Sequence, residues 1–466
     1  MTLTDSRGLP VSTTSTAALA RYELAVDQTL GYSGNPLATL DEALAEDPDF
    51  AMAHALRADL AVMSSEQGAL PLIEASAAAL ERAGSRATAR EHAHVAAAQS
   101  WAQGRFDRAA QLYGAIAVEY SRDLVAIQAA HVIDFNLGDS ILLRDHVAQA
   151  LPHWSADVPG FGYLLGMHAF GLEETGHYER AEDAGRRALD LNARDPWAVH
   201  AVQHVFEMQG RIHDGIEWLN ATSPNWQDSA LAFHNWWHLA LHQLELADVP
   251  AALDIYDRLV HPKPSTVALE LVDASQMLAR IQLHGGAVGA RWAELADCWS
   301  QTAEGGFYVF NDLHALIAYA FAGREEETRR LLSALERSAA GTGTNAENLR
   351  AVGMPVALAI VALASGRPGE ALERLLPVRS RSYRIGGSHA QRDLVQLMTI
   401  GAALAAGNGR LARALAAERT EQKPASPHNW RLTSRALESQ GLAVEARQAS
   451  EHAELRRRAQ FRRHAA

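Results

Sequence analysis

Residues 233–242 read FHNWWHLALH, three histidines at four-residue spacing around a Trp-Trp pair. Just before it comes AVHAVQHVFEMQG, in which His200, His204 and Glu207 stand at i, i+4 and i+7. In a helix that spacing puts all three side chains on one face, and His234, Trp237 and His238 share a face by the same rule. An i, i+4 histidine pair can chelate zinc, iron or manganese, and a carboxylate from a neighbouring element can complete the set. The candidate divalent-metal ligands are therefore His200, His204, His234 and His238, with Glu207, Glu173, Asp134 and Asp312 as the available carboxylates. Without a metal, the same imidazoles would serve as acid/base groups near neutral pH. HAVQH lacks the glutamate that follows the first histidine in HExxH, so a metalloprotease mechanism gains no support.

The elements that must hold these groups are helices. Alanine and leucine abound, β-branched alternation is scarce, and Gly-containing turns recur at Gly34, Gly68, Gly104, Gly138, Gly176 and Gly210. After a substituted turn at Ala247 come Gly285, Gly323, Gly366, Gly407 and Gly441, giving intervals of 34 to 43 residues. A helix–turn–helix unit with a period near 34 is the tetratricopeptide signature. Each unit exposes an apolar stripe that only its neighbour covers. The expected fold is all-α, a tetratricopeptide-like solenoid of about 12 repeats with a His-rich concave centre. It would fill residues 19–455 as a single domain, between a disordered head (1–18) and a basic tail (456–466, in LRRRAQFRRHAA).

In the register of such repeats the helix before each turn faces the concave side. His200, His204, Glu207, His234, Trp237 and His238 then point inward, as do Glu173 in MHAFGLEETG and His314 in FNDLHALIAYAFAG, where Asp312 stands two positions before His314. Trp236 is expected to pack in the core, and His242 and His168 against neighbouring helices. His131 and Asp134 in AAHVIDFNLG fall at packing positions. They form either a buried His–Asp hydrogen bond or part of the ligand site. A further constellation is SYRIGGSHAQRDLVQL (382–397), where Ser388 reads as a helix N-cap. His389, Arg392 and Asp393 then occupy the first turn and a half, suited either to an anionic substrate group or to a surface Arg–Asp pair.

A net charge of −13 argues against a non-specific nucleic-acid grip. No run of about 18 apolar residues suggests a membrane span. The lone Cys298, in DCWSQ, reads as a core thiol and fits a reducing cytoplasm.

GMHAFGLEETGHYERAE, HAVQHVFEMQGR, FHNWWHLALHQLEL, FNDLHALIAYAFAG and GGSHAQRD together resemble the tetratricopeptide repeat protein 38 family, in the same order along nearly the whole chain. That resemblance implies a cytosolic helical repeat protein and supplies no reaction. It draws attention to His200, His204, Glu207, His234, Trp237, His238, Asp312, His314, His389, Arg392 and Asp393.

The functional expectation is a small-molecule binder, and an enzyme of hydrolase or lyase/isomerase type, since no nucleotide-binding loop is present. In it His204, His238, Glu207 and Asp312 do the chemistry. His200, His234, Trp237, His314, His389, Arg392, Asp393, Glu173, His131 and Asp134 contact the ligand. The alternative is a scaffold that binds a peptide in its groove, as a monomer or homo-oligomer.

Overall fold

The computed structural model describes residues 3–302 and 305–462. It is an array of helix–turn–helix pairs; among the described residues the strands are the two-residue pair Leu3–Thr4 and Pro10–Val11. The chain forms two compact units where a single domain was expected. The first comprises Met1–Val202, Pro224–Ala232 and Ser338–Glu347; the second comprises Gln203–Ser223, Phe233–Arg337 and Asn348–Ala466.

In the first unit the helix before a turn is buried on nearly every side. Every residue of Phe161–Glu174 is buried except Phe161 and Tyr163. The helix after the turn, Tyr178–Leu191, buries only Ala181, Ala184, Gly185 and Ala188, the single stripe that 3.6-residue periodicity allows. Residues 3–18 of the expected disordered head are instead folded, and residues 1 and 2 lie outside the described residues. Its hairpin places Asp5 and Arg7 in the interior, where Arg90 lies 3.4 Å from Asp5 and 2.8 Å from Asp123. His94 bridges Asp59 (2.7 Å) and Asp123 (2.9 Å), and Tyr113 donates to Asp59. The Ser/Thr-rich composition hid the head's order, because its anchors are charged residues held by ion pairs inside the unit.

The second unit repeats the pattern. Ala268–Leu283 and Val309–Phe321 are buried along most of their length, whereas Glu325–Ala339 buries Leu331, Ala334 and Leu335. The substituted turn keeps its geometry. Ala247 adopts φ 64°, the left-handed conformation that glycine takes at the other turns, and its N–H closes on the Leu244 carbonyl. At Gly68 the reverse holds, because Ser65 (φ 56°) ends the preceding helix and Gly68 lies in a following 3₁₀ turn.

The basic tail begins as the end of the helix Ala443–Arg462, where Gln460 accepts from the Ile212 N–H; residues 463–466 lie outside the described residues. One helical stretch, Thr344–Ala364, is long and apolar enough by length and composition to cross a membrane. Since 56% of its apolar window is buried inside the protein and it carries Glu347 and Arg350, it has the character of a core helix.

Candidate functional site

Three helices of the second unit build the imidazole site. The helix Pro196–Gln209, which enters this unit at Gln203, presents His204 and Glu207; Ala232–Glu245 presents His234, Trp237 and His238. The third, Ala268–Leu283, presents Asp273. His204, His238 and Trp237 are wholly buried and His234 nearly so. The His204 and His238 ring centroids are 4.5 Å apart, and those of His234 and His238 are 5.0 Å apart. Each of the three offers a ring nitrogen, and these atoms lie within 4.8 Å of one another.

Carboxylates fix the orientation of two of the rings. His238 Nδ1 is 2.9 Å from Glu207 Oε2, and His234 Nδ1 is 2.5 Å from Asp273 Oδ2. A neutral imidazole that donates through Nδ1 to a carboxylate turns Nε2 toward a ligand, the arrangement found around metal-bound histidines. Burial first, and then the neighbouring His204, hold His238 well below the usual histidine range, which keeps it neutral as a ligand must be. Glu207 is held well below the usual carboxylate range. Burial acts to raise it, and Lys423 at 3.3 Å and the His238 hydrogen bond outweigh that.

Behind this layer lie groups that no motif marks. Asp273 also accepts from Gln391 Nε2 at 3.4 Å, and Gln391 closes a capping box with Ser388 at the start of the helix His389–Ala405. The cap expected at Ser388 is therefore present, and its contribution to the imidazoles runs through Gln391. His389, Arg392 and Asp393 are engaged elsewhere. Arg392 holds the Gly387 carbonyl and approaches His389 Nδ1 at 3.3 Å. Asp393 pairs with Arg280 and Arg419, in place of the expected Arg392. Burial would raise Asp393, but Arg419 and then Arg280 pull it down to about 2. Arg280 also lies over the Trp237 ring, 5.7 Å from its centroid, while His234 stacks on the same indole at 5.4 Å.

Asp312 and His314 sit elsewhere in this unit. Asp312 Oδ1 accepts from the Gly306 N–H at 3.0 Å, Oδ2 is buried without a hydrogen-bond partner among the described residues, and burial pushes its pKa up to about 7. His314 donates through Nδ1 to the Phe310 carbonyl, and burial pushes it down to about 4. The carboxylate partner that Asp312 was expected to be is Asp273, whose signal was an acid within the mostly apolar stretch LVDASQML. Lys423, which gave no such signal, reaches Glu207 from 216 positions away. Trp236 is only partly buried, so the packing indole of this pair is Trp237, which also faces the imidazoles. His242 packs on Gln203 and on Gly215, where a Cβ would come within 2.2 Å of its Nε2. Cys298 is buried, its sulfur 4.0 Å from His261 Nε2.

The remaining candidates belong to the first unit. His200 packs against Phe170 and Trp197 at 5.1 and 4.8 Å, and Glu173 is buried. The expected His131–Asp134 hydrogen bond is replaced by two others. His131 Nδ1 faces the Leu143 carbonyl, and Asp134 binds His146 Nδ1 at 2.7 Å. Residues 131 and 134 are one turn apart and diverge toward different parts of the following helix.

No family model matches the chain. Among solved structures, the tetratricopeptide domain of P58(IPK) is 12% identical over 81% of this chain and 97% of that chain, with a TM-score of 0.22. Human IFIT1, solved as a dimer with PPP-AAAA, is 13% identical over 92% of this chain and 85% of that chain, with a TM-score of 0.35. The same protein with m7Gppp-AAAA is 14% identical over 95% and 90%, with a TM-score of 0.36. At TM-scores this low, nothing about a site or a role is carried over from these structures.

Proposed function

We propose that the second unit is a metal-dependent small-molecule site of hydrolase or lyase type, with His204, His234 and His238 as the protein ligands. The observation that carries this reading is that two buried imidazoles are each held through Nδ1 by a carboxylate, and that both rings and His204 each bring a ring nitrogen within 4.8 Å of the others. Three nitrogen ligands suit zinc with a fourth position left for water, and zinc would supply a hydroxide near neutral pH. The residues' part is to present neutral imidazoles in one orientation. Glu207 and Asp273 strengthen them as donors, Lys423 and Gln391 hold those carboxylates, and Trp237 with Arg280 walls one side. Iron and manganese are the alternative metals, and these two accept an imidazole set less readily than zinc does.

The narrower likeness to the tetratricopeptide repeat protein 38 family belongs to the same proposal, since HNWWHLAL supplies two of the three imidazoles. So does a cytoplasmic location, on the strength of the single buried thiol. The expectation of no nucleic-acid partner rests on net charge alone. The test is a panel of ester, amide and phosphoester substrates offered to zinc-loaded and chelator-stripped protein. Turnover that returns with zinc in the native chain and fails to return in His238→Ala supports the reading. Stoichiometric capture of a peptide, unaffected by stripping, would favour the scaffold instead.

A further inference from the structure

The last helix pair of the second unit, Pro427–Glu438 and Ala443–Arg462, is fastened to the ends of two much earlier helices of that unit. The Ser426 hydroxyl donates to Glu245 Oε2 at 2.7 Å, and the His428 main-chain N–H donates to the same oxygen at 3.3 Å. Arg431 donates to the Leu244 and Glu245 carbonyls that end Ala232–Glu245. Arg435, one turn on, donates to the Leu283 carbonyl that ends Ala268–Leu283. Guanidinium groups suit these places, because a helix C-terminus carries unpaired carbonyls and partial negative charge.

Within this contact two imidazoles stack. The rings of His284, next to Leu283, and of His428 lie 3.9 Å apart at 22°. His284 donates through Nδ1 to the Arg280 carbonyl at 2.8 Å. His428 is buried, and neither of its ring nitrogens has a hydrogen-bond partner among the described residues. A neutral imidazole carries one donor and one acceptor, and leaving both unmade in the interior is costly. A phenyl ring would fill the same stack without that cost, so packing does not account for a histidine at this position.

The charges acting on the two rings are cationic. Arg280 on Ala268–Leu283 and Arg419 on Gly409–Gln422 share Asp393 of the helix His389–Ala405. Arg431 and Arg435 stand on the same helix as His428, and Glu245, Arg457 and Glu454 act on Arg431. Glu245 is engaged by the Ser426 hydroxyl and by the main chain of His428, away from its ring. Burial first, and then His284 and Arg431, hold His428 well below the usual histidine range. Burial, aided by Arg431, brings His284 down to about 4 against its bond to the Arg280 carbonyl. Both rings are therefore neutral at neutral pH, and protonating either one sets a cation among cations. Groups held below their unfolded value of about 6.5 stabilise the contact above that pH, and the contribution is lost as pH falls toward 4.

We propose that the His284–His428 stack is an acid-sensitive clasp, whose protonation releases the last helix pair from the ends of Ala232–Glu245 and Ala268–Leu283. The clasp is separate from the imidazole site and needs no metal.

The experiment is backbone hydrogen exchange of the full chain at about pH 5 and about pH 7, corrected for the intrinsic pH dependence of exchange and read at residues 429–438. Two rings that regain a pKa of about 6.5 on release raise the opening constant about 500-fold between these conditions, and one ring raises it about 20-fold. His428→Phe keeps the stack and gives up no hydrogen bond of the ring. A native rise above about 100-fold that shrinks at least about fivefold in His428→Phe is the expected result. A smaller native rise, or a smaller reduction in the variant, overturns the proposal. An equal rise in the helix Val309–Phe321 would mean that the unit unfolds as a whole, and it overturns the proposal too. If His428→Phe fails to fold, His284→Phe carries the same comparison from the other side of the stack.

Discussion

At the scale of residues, the imidazole site is defined by which nitrogen each ring commits to a carboxylate. Glu207→Gln and Asp273→Asn keep volume but weaken the charge that orients His238 and His234. Each substitution should cost about 10- to 100-fold in zinc affinity, read by competition with a chromogenic chelator. Unchanged affinity in both would mean that these carboxylates only pack. The histidines were legible in the sequence because i, i+4 spacing on a helix is a local pattern. Asp273, Gln391 and Lys423 were not, because they lie 39, 118 and 216 positions from the groups they hold. Asp312, next to His314, looked like the missing carboxylate only because it was near in sequence.

At the scale of elements, the spacing of the turns was enough to identify the repeat, and even its irregular member obeys. Ala247 bears a left-handed backbone that costs an L-residue about 1–2 kcal/mol, part of which glycine would give back in unfolded-chain entropy. Ala247→Gly should therefore stabilise the protein by about 0.5–1 kcal/mol in denaturant unfolding, and a loss of stability would show that the side chain packs to advantage. The cap at Ser388 is a second such element. Ser388→Ala should cost about 1 kcal/mol and loosen Gln391 from Asp273. A lowered midpoint with undiminished zinc affinity would confine its role to the helix.

At the scale of the molecule, one domain was read where the chain forms two units, because a repeat period says nothing about where packing divides. The head was misjudged for a related reason. Composition does not register the buried network of Asp5, Arg90, His94, Asp59 and Asp123 in the first unit. That network sets a pH dependence with two limbs. Burial opposes charge on His94, yet Asp59 and then Asp123 raise it to about 10. Its contribution is complete below the unfolded value of about 6.5 and is lost as pH rises toward 10. Asp123 is held far below its unfolded value of about 3.9 by His94 and Arg90 against burial, so its contribution is present above that pH and lost in acid. Thermal unfolding of the first unit's transition should accordingly fall on both sides of neutrality, and a flat alkaline limb would mean that His94 is neutral in the fold. The central claim concerns the second unit, and metal content of untagged protein by mass spectrometry, beside His204→Ala/His238→Ala, tests it most directly. About one equivalent of zinc in the native chain and none in the folded variant is the expected result. Native protein that takes up no metal after zinc is supplied, or a variant that retains it, would contradict the claim.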